Sequence, residues 1–259
     1  MGSRTVVADV ADELARRVAT GEYRPGELMP SVRQVADEFG MNRATAQLIL
    51  GKLESYGFVE ARRGKGFTIR DVRVEGGMDV YRHLFRFSIT APEVAAEMFA
   101  DIVEVERGIV GEALLAYTAG EKVLDPAELG AAVDELESMA RMPDPDHAGL
   151  IAAEVALVRT LLGVLDMSMQ RAVLNSIADM VAEVPEAVSA YFAVAPDLHV
   201  LVWRALLAVW DAESGPSEAQ LALFGDLFTL YHQKVIARFD QLVGVTPTAA
   251  QVTALSSAV

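Results

Sequence analysis

Residues 29–53 read MPSVRQVADEFGMNRATAQLILGKL. Apolar side chains recur at helical spacing on both sides of Phe39-Gly40-Met41, so the stretch predicts two short helices with a sharp break between them. Ser31, followed three residues later by Gln34, forms a capping box for the first helix. Gly40 takes the position past its C-terminus. Asn42 caps the second helix, whose buried stripe is Ala46, Ile49, Leu50 and Leu53. The tip of that helix, Asn42-Arg43-Ala44-Thr45, is polar and cationic on an otherwise apolar element. A DNA-reading helix would explain such a tip, and a core helix with a good cap would explain part of it.

The flanking sequence favours the first explanation. Upstream, Val6, Val10, Leu14 and Val18 recur every fourth residue and predict a helix over 5–19, ended by Gly21. Tyr23-Arg24-Pro25-Gly26-Glu27 reads as a turn. Downstream, Gly57 ends the third helix, Phe58-Val59 lead a short strand, and Phe67-Thr68-Ile69-Arg70 alternates as a second. Between them lies Arg63-Gly64-Lys65-Gly66, a glycine-rich cationic turn, with Arg62 beside it. Three helices and a β-hairpin in this order make a winged helix-turn-helix. Its recognition helix would place Arg43 against guanine O6 and N7, Gln47 against adenine N6 and N7, and Thr45 against a phosphate or a thymine methyl. Arg33 on the supporting helix would hold a phosphate, and Gly64 and Gly66 would let the wing approach a groove. Leu48 falls on the face that should be wet.

Charge is divided along the chain. The 259 residues carry a formal net charge of −15, yet residues 1–75 hold 12 Lys+Arg against 11 Asp+Glu, and residues 76–259 hold 10 against 26. An acidic C-terminal part repels phosphate, which confines DNA contact to the N-terminal third. Apolar content of 52% with 23% charged residues describes a well-packed globular chain. There is no cysteine, so disulfides, thiolate zinc sites and cysteine nucleophiles are excluded. No apolar run reaches the roughly 18 residues of a spanning helix, and the N-terminal segment carries no secretory pattern; a cytoplasmic protein is expected. No Ser-His-acid set, phosphate loop or metal constellation is present, so the chain reads as a non-enzyme.

After Gly76-Gly77-Met78, read as part of a linker over 76–80, nearly all the sequence is helical. Thr90-Ala91-Pro92-Glu93 predicts a capping box opening a long helix with Val94, Met98, Ile102, Val105 and Ile109 on one face. Asp125 caps another, and further helices are expected over about 146–165, 168–192, 196–212 and 217–242. The expected class is mainly α: a winged helix-turn-helix over 1–75, an all-helical effector-binding and dimerisation domain over 81–245, and a frayed tail over 246–259.

The run Gly21-Glu22-Tyr23-Arg24-Pro25-Gly26-Glu27-Leu28-Met29-Pro30-Ser31, with Arg33-Gln34-Val35-Ala36 and Asn42-Arg43-Ala44-Thr45, resembles the gluconate-repressor (GntR) superfamily of bacterial transcription regulators over residues 8–72. The resemblance implies operator contact by Arg33, Arg43, Thr45 and Gly64, a homodimer, and repression as the mode of control. The family commonly has an arginine where this chain has Gln47, which implies an altered operator preference. Asn42, Arg63, Lys65 and Gly66 complete the expected DNA-binding set.

The helical second part resembles the fatty-acid-regulator (FadR) group, through Val105-Glu106-Arg107 and the pattern from Ser189 through Tyr191, Leu206 and Trp210 to Tyr231-His232. Many members of that group hold a metal with one Asp and three His. This chain has Glu154, Val158, Arg204 and Asp226 at those positions, and Val158 and Arg204 cannot ligate, so no metal is expected. The four histidines, His83, His147, His199 and His232, are scattered. The resemblance then implies an acyl-CoA or fatty-acid effector; a small metabolic carboxylate, with or without a metal, is the alternative. Arg107, Arg159 and Arg204 lie in apolar helical stretches and would face either an anionic ligand or internal carboxylates such as Glu104, Glu112 or Glu154. With Tyr191, Trp203 and Tyr231 they form the expected effector set. Met98, Met167, Met169 and Met180 are candidates for a pliable pocket lining, or for plain core.

Overall fold

The computed structural model describes residues 6–120, 124–212 and 215–245, so the expected frayed tail lies outside the described residues. The chain divides into two compact units, Met1–Ser88 and Ile89–Val259.

In the first unit, α1 (Val6–Ala19) buries Ala11, Leu14, Ala15 and Val18. Val6, expected on the core face, is 65% exposed. A row spaced by four residues drifts about 40° per step around a helix of 3.6 residues per turn, so it cannot stay on one face for long. Helix α2 (Val32–Glu38) starts at Ser31 with both arms of the capping box formed. It stops because Gly40 adopts φ +64°, which lets the Met41 amide return to Ala36 O at 2.9 Å. That reversal produces the break between the two helices of the opening stretch.

Helix α3 (Arg43–Ser55) buries Ala46, Ile49, Leu50 and Leu53, as the spacing predicts. Strands β1 (Val59–Arg62) and β2 (Gly66–Ile69) pair antiparallel, from Val59↔Ile69 to Arg62↔Gly66. The segment after the Pro-Gly turn adds to the hairpin, with Ile69 N donating to Glu27 O and Met29 N to Phe67 O, at 2.9 and 2.8 Å. The Ala61 amide donates to Glu54 Oε1 at 2.8 Å, tying the wing to the end of α3.

Two further helices, α4 (Val72–Glu75) and α5 (Met78–Ser88), belong to this unit. The stretch read as a linker therefore runs into α5. Val80 is buried in the same core as α1 and α3, and Arg86 pairs with Asp12 at 2.8 Å. The division between units falls after Ser88.

The second unit comprises α6 (Pro92–Ala119), α7 (Pro126–Ala140), α8 (His147–Val164), α9 (Ser168–Ala182), α10 (Pro185–Tyr191), α11 (Pro196–Asp211) and α12 (Glu218–Val243), with no strand among the described residues. Helix α6 differs from expectation at its start: Ala91 is the N-cap and makes no side-chain cap hydrogen bond. Its buried face is Ala95, Phe99, Ile102, Val103, Val110, Ala113, Leu114 and Tyr117, while Val94 and Val105 are exposed. The helix is apolar on several sides, so the choice of face falls to its neighbour α12, through a Phe99–Phe239 stack at 4.0 Å. The helix expected over 168–192 is two helices, because Pro185 has no amide to continue the ladder. Asp125 caps α7 as predicted, accepting from the Ala127 amide at 2.9 Å. Helix α8 matches a membrane span in length and mean hydropathy, 18 residues and 1.5. Its Leu157, Val158, Leu161 and Leu162 are buried in the bundle core.

Candidate nucleic-acid interface and ligand cavity

The first unit bears a groove of about 830 Å³ between α2, α3 and the wing, lined among others by Arg33, Gln34, Arg43, Gln47, Lys65 and Gly66. No acidic side chain among the described residues lines it. Arg43 is the first residue of α3, and the first turn of that helix contains no acid. An Asp or Glu there would stabilise the helix dipole; its absence leaves the dipole for an external anion. Arg43, Arg63 and Lys65 form no ion pair among the described residues. Arg33 makes only a fully exposed pair with Asp37 at 3.6 Å, which water screens.

Of the nine residues expected to meet DNA, Arg33, Arg43, Gln47, Lys65 and Gly66 line this groove. Arg63 and Gly64 occupy the hairpin turn beside it, where Gly64 takes φ +74°. Asn42 acts as the cap of α3, its Oδ1 accepting from the Thr45 amide at 2.9 Å. The Thr45 hydroxyl also donates to Asn42 Oδ1 at 3.1 Å, so its proton is not free for a phosphate. Arg62 pairs with Glu60 at 2.8 Å. Leu48 is 64% exposed on α3, on the wet side as expected.

The second unit contains a cavity of about 660 Å³ whose walls are mostly apolar. Leu198, Leu201, Leu223, Leu227 and Leu230 line it while remaining exposed, and so form an apolar mouth. Of the expected effector residues, Tyr191, Trp203 and Tyr231 line the cavity. The three arginines do not. Arg107 pairs with Glu104, Arg159 donates to Asn175 Oδ1 at 2.6 Å, and Arg204 bridges Asp134 and Glu137. For Arg107 the internal-carboxylate alternative is what the fold adopts. None of the four methionines considered as lining reaches the cavity either.

The sequence points to Tyr191, Trp203 and Tyr231 but not to the carboxylate–histidine pairs at the polar end of this cavity. Glu154 accepts from His199 Nδ1 at 3.0 Å and from Trp203 Nε1 at 3.1 Å. His232 Nε2 lies 3.0 Å from Glu106 Oε2, and its Nδ1 lies 2.7 Å from Phe228 O. Tyr231 donates to Tyr191 O at 2.9 Å. Burial opposes the charged form of His199, but the bond to Glu154 and its negative charge outweigh that, so the imidazole titrates above its ordinary value. Burial, reinforced by nearby carboxylates, pushes the Tyr191 and Tyr231 hydroxyls well above the usual phenol range, so both stay protonated. His83 and His147 are elsewhere, the first against Tyr56 and the second stacked on Phe192. No cluster of three or more His, Cys, Asp or Glu suited to a metal occurs among the described residues.

With this geometry in place, comparison with known proteins decides the class of the first unit. Residues 7–69 match the family of bacterial regulatory proteins, gntR family. The N-terminal domain is a gntR-family helix-turn-helix. The match includes every residue lining the cationic groove. The HTH-type transcriptional regulator Mce2R of Mycobacterium tuberculosis is 40% identical over 84 residues, covering 32% of this chain and 35% of the relative. The mannosyl-D-glycerate transport/metabolism system repressor MngR of Escherichia coli is 30% identical over 74 residues, 29% of this chain and 31% of the relative. The chain thus spans about a third of the length of these curated relatives. Among solved structures, E. coli McbR/YncC aligns at 17% identity with a TM-score of 0.39, over 92% of this chain and 99% of that one.

Proposed function

We propose that the protein is a ligand-responsive transcription regulator that binds a palindromic operator as a homodimer and represses from it. The observation that carries this reading is the groove that collects Arg33, Arg43, Gln47 and Lys65, with no acidic side chain lining it among the described residues, in a gntR-family domain. One recognition helix reads one half-site, so a palindrome calls for two copies. The working place is the cytoplasm, where the DNA is. The second unit serves as the effector domain. Its cavity has the size and apolar walls of a small-molecule site, and an acyl chain, the apolar part of a fatty acid or acyl-CoA, suits those walls better than a small metabolic carboxylate does. A ligand there changes operator affinity only if it binds the DNA-competent and incompetent arrangements unequally.

Fluorescence anisotropy with fragments of the adjacent promoter region tests the DNA reading, with mass by light scattering reporting the dimer. Binding that weakens steeply with salt and saturates at two chains per site is expected. Absence of binding to any fragment of a genomic pool at low salt would sink it.

A further inference from the structure

Reading the cavity as the effector site, on which this inference rests, leaves the head of the ligand open. The polar end is built by helices far apart in sequence: Glu106 from α6, Glu154 from α8, Tyr191 from α10, His199 and Trp203 from α11, and His232 from α12. Glu154, His199, Trp203, Tyr231 and His232 are all engaged in hydrogen bonds to one another, to Glu106 or to backbone carbonyls. The Tyr191 hydroxyl is different. It is buried and has no hydrogen-bond partner among the described residues, although both Glu106 and Glu154 are near enough to act on it electrostatically. An unmet buried hydroxyl costs about 1–3 kcal/mol. Tyr191 is one of the residues lining the open-mouthed apolar cavity, so a ligand that enters there and parts the side chains sealing the hydroxyl supplies the missing partner.

The charges around it restrict that atom. Among the described residues the acidic side chains lining the cavity are Glu106 and Glu154, and each is already paired with an imidazole. No arginine among the described residues lines the cavity, and Lys234 is an exposed residue at its edge. An anionic head would face two carboxylates without a guanidinium to neutralise it. A cationic head would compete with His199, Trp203 and His232 for the same two carboxylates. A hydroxyl or carbonyl meets neither obstacle and can bond to the phenol as acceptor or donor. We infer that the cavity takes an apolar ligand with an uncharged hydroxyl or carbonyl head, hydrogen-bonded to the Tyr191 hydroxyl.

The test uses the full chain and three probes of equal chain length, 1-decanol, decanoate and decylamine, near pH 8. Binding is read from intrinsic tryptophan fluorescence, since Trp203 lines the cavity, and from calorimetric stoichiometry. 1-Decanol is expected to bind once per chain and about tenfold more tightly than either charged probe. Tyr191→Phe is expected to weaken 1-decanol about tenfold and, by removing the unmet hydroxyl, to raise the Tm of the unliganded protein. Decanoate or decylamine binding as tightly as 1-decanol overturns the assignment of the head. So does an unchanged 1-decanol affinity in Tyr191→Phe. Failure of all three probes to bind overturns the reading of the cavity itself.

Discussion

Replacing Arg43 with alanine separates a reading helix from a merely well-capped one. The side chain opens α3, is exposed, lines the groove and forms no ion pair among the described residues. Its loss should therefore shift folding stability by no more than about 0.5 kcal/mol. Asn42 carries the cap independently, through the Thr45 amide. Binding is another matter. A bidentate contact to guanine is worth about 1–3 kcal/mol, so the selected site should weaken roughly 5- to 150-fold. Lys65→Ala provides the contrast. If the wing lysine meets phosphate, affinity falls about equally for all sequences, and the slope of log K against log salt drops by about one. The assay is anisotropy on a site selected from random DNA by the wild-type protein, with a scrambled duplex beside it and salt varied. Arg43→Ala binding the selected site as tightly as wild type would refute the placement of the reading helix. An equal loss on both duplexes would refute base readout and leave a phosphate contact.

Gln47→Arg, on the same face, should raise affinity for all DNA and change the site recovered by selection; an unchanged consensus would show that position 47 does not face the bases. Gly57→Ala should cost roughly 1–3 kcal/mol of stability by urea unfolding, because Gly57 has φ +88° and a Cβ there would lie 2.8 Å from Val80 Cγ2. A loss below about 0.5 kcal/mol would mean that α5 yields easily. The Glu154–His199 pair gives a pH signature. The folded imidazole titrates above its ordinary 6.5, so the contribution of the pair is full below about that pH and fades as pH rises through the folded value. The Tm deficit of Glu154→Gln relative to wild type should accordingly be largest in mild acid and shrink towards alkaline pH. A deficit that grows with pH contradicts the assignment.

The N-terminal unit was legible because its decisive signals are local. Ser31 and Gln34, Asn42 and Thr45, and Gly40 with its positive φ act within a few residues of themselves, and each does in the fold what its spacing predicts. The groove was legible for a related reason, since a helix tip and a hairpin turn expose the residues that they carry. Buried faces were less readable. On α1 the four-residue row drifted off the core, and on α6 several apolar faces competed until α12 selected one. The arginines of the second unit misled in the same way. Apolar neighbours in sequence suggest an interior position, but Arg204 reaches Asp134 and Glu137 on α7, and Arg107 stays beside Glu104.

By itself, then, the sequence determined the helix-turn-helix with its basic wing, the helical character of the remainder and the uneven charge along the chain. Those properties follow from caps, turns and composition, which act over short range. Tertiary structure decided that Glu106, Glu154, Tyr191, His199 and His232 meet at the end of one cavity and that the arginines do not join them. Those residues come from separate helices, up to 126 positions apart for the Glu106–His232 pair. Only the packing of the bundle brings such groups within hydrogen-bond reach, and only that packing leaves the buried Tyr191 hydroxyl without a partner among the described residues.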